Sequence, residues 1–192
     1  MSKITNRDRI LSAGVHVVHE RGFGGASVRD IVQAAGVPQG SFTNHFASKE
    51  AFGLEVLDLY FQQSLALFAE TLRNDSRPPL ERFEAFLDAN IARAASEDVC
   101  NGCMLGNFAA ETSANTMIRP RLVEIFAEIR ATIASCLEAA VAAGELRADL
   151  DCDDIAAFLV TALQGANLLA KIERSAEPME RLKRITLSRL LR

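Results

Sequence analysis

Apolar residues recur along most of the chain at intervals of three and four, the spacing that places them on one face of an α-helix. Ile10, Ala13 and Val17 share such a face in the first segment. Sustained alternation of apolar and polar residues, the pattern of a half-buried strand, is nearly absent. Residues that favour helices, such as Ala, Leu, Glu and Arg, are frequent throughout. The pattern predicts an all-α protein.

Capping and breaking residues divide the N-terminal part of the chain into short helices. The first is predicted over about residues 5–21 and ends at Gly22, because a left-handed C-cap favours glycine. Ser27 and Asp30 have the spacing of a capping box at the start of the second helix. The third opens at Pro38, whose fixed φ suits a first helical turn. Short helices joined by a tight turn predict a helix-turn-helix unit.

The rest of the chain divides at prolines, glycines and aspartates into longer helices. These are predicted over about residues 49–73, 79–97, 103–115, 119–143, 153–174 and 178–191. The sequence therefore predicts two domains. Residues 1–47 form an N-terminal three-helix helix-turn-helix DNA-binding head, and residues 48–192 form a larger C-terminal helical domain.

The distribution of charge modifies this interpretation. The chain has a net charge of −4, which by itself argues against a nucleic-acid partner. Residues 1–50 nevertheless contain six Lys or Arg against four Asp or Glu and sum to +2, so residues 51–192 sum to −6. A weakly basic head on an acidic body is compatible with DNA binding.

Composition bounds the class of protein and its location. With 49% hydrophobic and 24% charged residues in 192, the chain is globular rather than disordered or fibrous. The N-terminus has no apolar stretch of the signal-peptide kind, so we expect a cytoplasmic protein. The uncharged stretch 155–170 is about four residues short of a bilayer span, which predicts a buried helix and no membrane association.

Hydrogen-bonding side chains are concentrated on the third helix. In a helix-turn-helix unit the second helix lies in the major groove, where small and polar residues allow close approach to phosphates and base edges. Phe42 and Phe46, four residues apart, are expected to anchor that helix to the first two. Lys49 follows in the first turn of the next helix, where its charge and the free backbone N–H groups together favour the binding of a phosphate. The DNA-contacting residues predicted on these grounds are Gln39, Gly40, Ser41, Thr43, Asn44, His45 and Lys49.

Several short motifs over residues 5–55 resemble those of the TetR family of bacterial transcriptional regulators. They are Arg9-Ile10-Leu11, Glu20-Arg21-Gly22-Phe23, Ser27-Val28-Arg29-Asp30-Ile31, Ala34-Ala35-Gly36-Val37, Gly40-Ser41-Phe42, His45-Phe46 and Ser48-Lys49-Glu50. The resemblance implies a homodimer with a DNA-reading head and a C-terminal domain that binds a small inducer and dimerises through its last two long helices. The implied function is repression at a palindromic double-stranded operator, released by a signal.

The chain departs from the family pattern at three positions of the third helix. The family commonly has Lys or Arg at the position of Gln39, and usually Tyr at that of Thr43 and often at that of Asn44, where the phenol contacts a phosphate. Some phosphate affinity is therefore expected from other residues. Arg7, Arg29 and Lys49 are expected to supply it, and Ser27 is also assigned to DNA binding.

A second resemblance lies in the C-terminal part, in Gly102-Cys103-Met104-Leu105-Gly106-Asn107 with Ala110-Glu111, and in Gln164-Gly165-Ala166-Asn167 with Lys171. These segments are similar to a NemR-type branch of the family, whose members sense electrophiles and oxidants through a cysteine at the position of Cys103. At a helix N-terminus a thiolate is favoured, so Cys103 would react with electrophiles; the alternative is a small buried apolar residue. Further candidates for a ligand pocket are Asn107, Phe108, Phe126 and Gln164.

The predicted helix 153–174 is apolar all round and must therefore be covered on both sides. One subunit covers a single side, so the other is predicted to form the dimer seam with the last helix. The residues assigned to this seam are Phe158, Ala162, Gly165, Ala166, Leu182 and Ile185.

Other chemistry has little support in the sequence. Cys100 and Cys103 have the spacing of a metal hairpin, but no second pair follows. The aspartates of 149–154 lack the Gly and Glu of a calcium loop and fit a helix N-terminus. No hydrolase, phosphate-loop or zinc-protease motif is present, so we expect no enzyme, cofactor or metal. An alternative left open is a helical redox-sensing or interaction protein with a degenerate DNA-binding head.

Overall fold

The structure, a computed structural model, describes residues 4–96, 101–113 and 116–192. Within those ranges it contains nine α-helices, one π-helical turn and no strand, so the predicted all-α class is confirmed. The helices are α1 (Asn6–Gly25), α2 (Val28–Ala35), α3 (Gly40–His45), α4 (Lys49–Glu70), α5 (Pro79–Ala94), α6 (Met104–Glu111), α7 (Ile118–Ala142), α8 (Cys152–Glu173) and α9 (Glu177–Ile185), followed by the turn Thr186–Leu190.

The chain folds into two compact units. The N-terminal unit consists of the residues up to Gln62 together with Met104–Val123, and the C-terminal unit of Gln63–Cys103 and Glu124–Arg192. Helices α4 and α7 each contribute residues to both units. The domain boundary after residue 47 divides the chain by role and stays a prediction.

Two capping boxes fix where the first helices of the N-terminal unit begin. The Thr5 hydroxyl accepts from the Asp8 amide at the start of α1, and the Asp8 carboxylate accepts from the Thr5 amide in return. Ser27 and Asp30 form the same reciprocal pair at the start of α2, as predicted. Because backbone donors that lack helical partners are satisfied locally, these short helices have defined starts.

Phe52 of α4 is the centre of the N-terminal core. It is fully buried, and its ring lies 5.2 Å from that of Phe42 and 5.0 Å from that of Phe46. Gly14 of α1 allows this packing, since a Cβ there would lie 2.3 Å from the Phe52 ring. Phe42 and Phe46 thus anchor α3 on an aromatic cluster that includes α4, which the sequence spacing alone did not identify.

Aromatic packing and polar ties between helices hold the C-terminal unit together. The ring of Phe86 lies 6.0 Å from that of Phe68 and 6.5 Å from that of Phe83. The Arg73 guanidinium donates to the Thr132 hydroxyl over 2.9 Å. At the start of α8, Asp151 accepts from the Asp154 amide over 3.0 Å, so these acids cap the helix as expected.

Two helix ends differ from the prediction. Gly22 has the positive φ expected of a C-cap, but its ψ of 161° is extended rather than left-handed helical, and a further turn follows through Gly25. The last helix was predicted to run to residue 191; α9 instead ends at Ile185 and widens into the π-helical turn Thr186–Leu190. Both differences are local changes of hydrogen-bonding register that hydrophobic periodicity does not report.

By length and composition, α8 is the one helix within the described residues that could cross a membrane. Its most apolar window has a mean hydropathy of 1.6, and 28% of that window is buried inside the chain. The sequence analysis predicts that one copy of the chain covers a single side of this helix, and the other side does face outward.

Candidate nucleic-acid interface and sensing site

The outward side of α3 presents polar groups without burying them. Helix α3 turns Phe42 into the core, while the residues predicted to reach DNA stay accessible. We call these residues the recognition face; Gln39, Gly40, Thr43, Asn44 and His45 are exposed and Ser41 is half-buried. The predicted set therefore shares one short helix and its first turn.

The turn between α2 and α3 is fixed by backbone geometry and by one side chain from α1. Gly36 ends α2 in the left-handed region, with φ 62° and ψ 39°. Its carbonyl accepts a hydrogen bond from the Arg9 guanidinium over 3.2 Å. On the other side of the turn the Ser41 amide donates to the Pro38 carbonyl over 2.9 Å. Arg9 thus helps to hold the turn, a role that its sequence position, 27 residues from Gly36, did not reveal.

The cationic residues predicted to bind DNA differ in the contacts that they already make within the N-terminal unit. Arg29 is exposed on α2. Arg7 forms an ion pair with Glu55 and lies 5.4 Å from the ring centre of Phe46. The Lys49 ammonium donates to the Gly24 carbonyl over 3.3 Å. Contacts of these residues with DNA stay predictions, and Arg29 is the most exposed of the three.

Ser27 has a structural role that the DNA assignment did not include. Its hydroxyl accepts from the Asp30 amide over 3.1 Å and donates to the Asp30 carboxylate. The bonds from the Ser27 hydroxyl and then from its amide lower the pKa of Asp30 below the usual range of an aspartate. Because the Ser27 hydroxyl and the Ser27 amide both donate to Asp30, a DNA contact through either group requires exchange of one of these bonds.

Cys103 lies at the residue before α6, so the expected position at a helix N-terminus is confirmed. Its side chain is half-buried. The side-chain amide of Gln164 donates to the Cys103 sulfur over 3.7 Å. The structure therefore brings together two of the residues that the sequence assigned to sensing.

The other described thiols are in different surroundings. Cys136 and Cys152 are buried, and their thiols donate to the carbonyls of Pro79 and Leu150. Burial raises the pKa of Cys136 to about 11, and burial also raises the pKa of Cys152. Cys100, the partner in the predicted Cys-x-x-Cys spacing, lies outside the described residues. Of the three described cysteines, Cys103 is the one that is not buried.

The remaining residues predicted to bind a ligand are Asn107, Phe108 and Phe126. Phe108 is buried, packs 5.2 Å from the ring of Phe23, and lines a cavity of about 330 Å³ in the N-terminal unit. Asn107 and Phe126 are half-buried. Within the residues that the structure describes, no group of three His, Cys, Asp or Glu could hold a metal ion.

A second cavity, which the sequence did not suggest, lies in the C-terminal unit and is lined by the segment that follows α4, by α5 and by α7. Its volume is about 560 Å³, and its walls include Arg73, Arg82, Glu128, Thr132 and Cys136. The residues that line this cavity are far apart in sequence and form no recognisable motif. The cavity could therefore not be predicted from the sequence. The arginines there bind partners within the chain, Arg73 to Thr132 and Arg82 to Asp75.

The exposed side of α8 is a continuous apolar stripe. Residues spaced four, three, four and three apart share one face of a helix. We call this face the apolar stripe; it consists of Phe158, Ala162, Gly165, Leu169 and Ile172. Phe158, Leu169 and Ile172 are 55%, 46% and 68% exposed, and a Cβ at Gly165 would meet nothing within 4 Å.

The stripe and the predicted dimer seam overlap without coinciding. Ile185 of α9 is exposed and Leu182 half-buried, whereas Ala166 is buried within the chain. Leu169 and Ile172 were missed by the sequence assignment. Helical spacing would have identified them, because Ile172 lies two steps of seven residues after Phe158 and Leu169 one such step after Ala162, and each step returns to the same face.

Comparison with known proteins places the chain in a family. Residues 10–56 match the model of the bacterial regulatory proteins of the tetR family, and residues 79–186 match that of a tetracyclin repressor-like C-terminal domain. The chain is 36% identical over 192 residues to the HTH-type transcriptional repressor DhaR of Mycobacterium sp. (strain GP1), covering all of this chain and 95% of that protein.

Solved structures show the same fold. The reduced form of Escherichia coli NemR is 27% identical, with a TM-score of 0.83 over 95% of this chain and 96% of that one. A cysteine-substituted variant of the TetR family regulator CifR, crystallised with 26-bp double-strand operator DNA, is 27% identical, with a TM-score of 0.80 over 96% and 98%. The protein with the exposed recognition face described above belongs to the TetR family of DNA-binding transcriptional regulators, which are regulators rather than enzymes.

Proposed function

We propose that the protein is a homodimeric repressor that holds a palindromic operator with the α3 helices of two copies and releases it in response to a signal at Cys103. The observation that carries the proposal is the complete helix-turn-helix unit with a polar recognition face, in a chain that matches the family over both parts. Repression is supported by relatives such as DhaR and NemR, which are named as transcriptional repressors. A regulator of this kind acts where DNA is, which in a bacterium is the cytoplasm.

The apolar stripe supports the dimer. Three large apolar side chains exposed on one face of a helix are costly in water, and a second copy of the same stripe would cover them. Gly165 at the centre of the stripe allows two helices to approach closely. A symmetric pair then presents two recognition faces. Heads about 34–36 Å apart meet successive major grooves on one side of the duplex.

Accessibility and position support Cys103 as the site of the signal. Its half-buried thiol precedes α6, whereas the thiols of Cys136 and Cys152 are enclosed and hard to ionise. With N-ethylmaleimide as probe, the Cys103 sulfur would add to one carbon of the double bond while a proton joins the neighbouring carbon. No oxidant or leaving group is needed. The adduct's bulk beside Gln164 would favour a state with lower DNA affinity.

A non-covalent inducer is the other form of signal that the family resemblance implies. Asn107, Phe108, Phe126 and Gln164 stay its predicted contacts. Whichever signal acts, it must bind or modify the DNA-free state more favourably than the DNA-bound state, since equal affinity shifts no population.

The proposal is tested by fluorescence anisotropy of labelled DNA from upstream of the protein's own gene. We expect saturable binding by the reduced protein that weakens steeply with salt, because released counterions dominate the affinity. Treatment with N-ethylmaleimide should weaken binding of the parent and of Cys152→Ala but not of Cys103→Ser. Mass spectrometry of the digested protein identifies the alkylated thiol.

The outcomes separate the parts of the proposal. Selective binding that Cys103 alkylation leaves unchanged would retain the repressor and replace the cysteine signal by a bound inducer. A response that persists in Cys103→Ser would exclude Cys103. Weak binding with equal affinity for the upstream DNA and a scrambled duplex would contradict an operator there.

A further inference from the structure

The last turn of α1 is broken in a way that leaves backbone donors pointing out of the helix. Gly22 has φ 75° and ψ 161°, a combination that only glycine adopts without strain. The amides of Phe23 and Gly24 therefore lie beyond the break. The Ala26 amide returns to the Gly22 carbonyl over 3.0 Å, so the turn closes on itself before α2 begins.

The two amides bind the carboxylate of Glu111, the last residue of α6. One carboxylate oxygen accepts from the Phe23 amide over 3.2 Å, and the other accepts from the Gly24 amide. We call this arrangement the clasp. It needs the glycine as well as the acid, because a Cβ at Gly22 would collide with the carboxylate.

Gly24 is also held from its other side. The Lys49 ammonium, at the start of α4, donates to the Gly24 carbonyl over 3.3 Å and lies 4.9 Å from the centre of the Phe23 ring. The residue thus has an anion on its amide and a cation on its carbonyl. The Phe23 ring is fixed in turn, because it packs on Phe108 of α6. Both contacts with α6 come from residues on its second half.

The held turn leads directly into the helix-turn-helix unit. Arg21, the residue before the break, forms an ion pair with Asp30 over 3.0 Å. Asp30 belongs to the capping box that begins α2. The position of α2, on which the turn to α3 depends, is therefore tied to the same short stretch of backbone that Glu111 binds.

We propose that Glu111 is a positioning residue for DNA binding: from α6, its carboxylate holds the broken end of α1 and so fixes the α2–α3 unit in its DNA-binding arrangement. The proposal rests on the proposed function, because it assigns an effect on operator affinity. Since Met104, the first residue of α6, directly follows Cys103 in the chain, the clasp also lies on the helix that begins at the proposed sensing residue.

The sign of the effect distinguishes positioning from simple electrostatics. Removing a carboxylate from a protein with a net charge of −4 reduces its repulsion from DNA phosphates, so charge alone predicts tighter binding. Loss of the clasp predicts weaker binding. A variant that lowers affinity while becoming less acidic therefore reports geometry.

The test compares Glu111→Ala and Glu111→Gln with Glu20→Gln, which removes the same charge from an exposed position on α1. We expect Glu111→Ala to weaken operator binding by about three- to tenfold, the effect of losing one or two exposed hydrogen bonds to a carboxylate. Glu111→Gln, whose amide oxygen accepts one of the two bonds, should recover part of the affinity. Glu20→Gln should bind as tightly as the parent or more tightly.

Two further readouts exclude a general loss of structure. The slope of log affinity against log salt should be unchanged in the Glu111 variants, because no phosphate contact is removed. Hydrogen exchange should accelerate for the amides of Phe23 and Gly24 in Glu111→Ala and stay as in the parent for α5. Unchanged or tighter DNA binding, or unchanged exchange at both amides, would overturn the proposal. If the parent bound no operator, the repressor assignment would fail, and the exchange result would still decide whether the clasp exists.

Discussion

The recognition face of α3 and the apolar stripe of α8 are both exposed, but they differ in how well water solvates their side chains. The recognition face presents amide, hydroxyl and imidazole groups that water solvates well. The stripe presents Phe158, Leu169 and Ile172, which water solvates poorly. The recognition face can remain exposed to water without lowering the solubility of the protein. The apolar stripe is more stable when another apolar surface covers it.

The difference teaches that exposure alone does not identify a partner; the chemistry of the exposed groups does. A polar face backed by a small aromatic core fits a partner that binds and leaves, such as DNA. An apolar face on a long helix fits a permanent partner, such as a second copy. Disrupting the stripe should therefore affect assembly and DNA binding together, while changes in the recognition face should affect DNA binding alone.

The largest effect is expected from charges placed in the stripe. Leu169→Asp combined with Ile172→Asp should convert the proposed dimer into a monomer, because the proposed seam would bury two carboxylates from each copy. Operator affinity should fall by about a hundredfold or more, since one head no longer raises the effective concentration of the other. Light scattering after size exclusion and fluorescence anisotropy measure the two effects.

Val123→Asp is the matched control for this variant. Val123 is an aliphatic residue on α7 with 58% of its surface exposed, so its substitution adds a charge at a comparable surface position outside the stripe. We expect it to remain dimeric and to bind DNA. A dimeric Leu169→Asp, Ile172→Asp variant would place the subunit contact elsewhere.

The next largest effect is expected in the aromatic cluster that anchors α3. Gly14→Ala adds a methyl group 2.3 Å from the Phe52 ring, so the aromatic cluster that anchors α3 must shift. We expect a loss of about 1–3 kcal/mol in the free energy of unfolding, the usual cost of overpacking a core. Urea denaturation followed by circular dichroism measures it.

Gly40→Ala supplies the opposite case within the same unit. A Cβ at Gly40 meets nothing within 4 Å, so the stability of the free protein should be unchanged or slightly higher. If α3 approaches the DNA backbone closely, as predicted, this variant should bind operator more weakly. Equal DNA affinity for Gly40→Ala and the parent would exclude that close approach.

Most of the fold could be predicted because its determinants are local. The capping box of Ser27 and Asp30 and the apolar repeat of each helix are determined by residues within about one turn. The predicted start of α2 and the predicted bounds of α8 consequently lie close to the observed ones. Where a bound was wrong, as at Ile185, the cause is a change from α to π hydrogen bonding that leaves the apolar pattern intact.

The candidate site was predictable to a smaller degree. Polar residue types on a short helix were sufficient to assign the recognition face. Cys103 was singled out by the resemblance to NemR-type regulators together with its predicted position at a helix N-terminus. The partners of Arg7, Lys49 and Glu111 were not predictable, because those contacts join residues far apart in sequence, up to 88 residues in the clasp. A single sequence carries no record of such pairs.

A third prediction separates two kinds of contact in the DNA interface. Ser41→Ala and Asn44→Ala should change which operator positions are preferred, at about 1–3 kcal/mol for each hydrogen bond to a base edge that the substitution removes. Arg29→Ala should weaken binding to all sequences alike and reduce the slope of log affinity against log salt by about one. Anisotropy competition with single-base operator variants, repeated at several salt concentrations, distinguishes the two.

Lys49→Ala is informative beside these variants because the Lys49 ammonium is engaged by Gly24. If Lys49 contacts a phosphate, as its position in the first turn of α4 predicts, the salt slope should fall as for Arg29→Ala. If it acts only by holding Gly24, affinity should fall with the slope unchanged. Uniform loss of affinity for Ser41→Ala, Asn44→Ala and Arg29→Ala would contradict the assignment of base and phosphate roles.

The smallest effect is expected at the cap of α2, and it should depend on pH. Ser27→Ala removes the hydroxyl that accepts from the Asp30 amide, at a cost of about 1 kcal/mol in the free energy of unfolding. Hydrogen bonds from Ser27 lower the pKa of Asp30, so the folded state favours the ionised carboxylate. The stability that this adds is present above the pKa of an unfolded aspartate, about 4, and is lost as the pH falls through the lower pKa of the folded state.

The difference in unfolding free energy between the parent and Ser27→Ala should therefore be largest at pH 7 and smaller at pH 3, as urea denaturation at the two values would measure. Ser12→Ala is the control, because Ser12 is an exposed residue within α1 and caps no helix. A difference that stays constant across this range would mean that the hydroxyl stabilises α2 through the Asp30 amide alone. The start of α2, and with it the turn that leads to α3, would then not depend on the charge of Asp30.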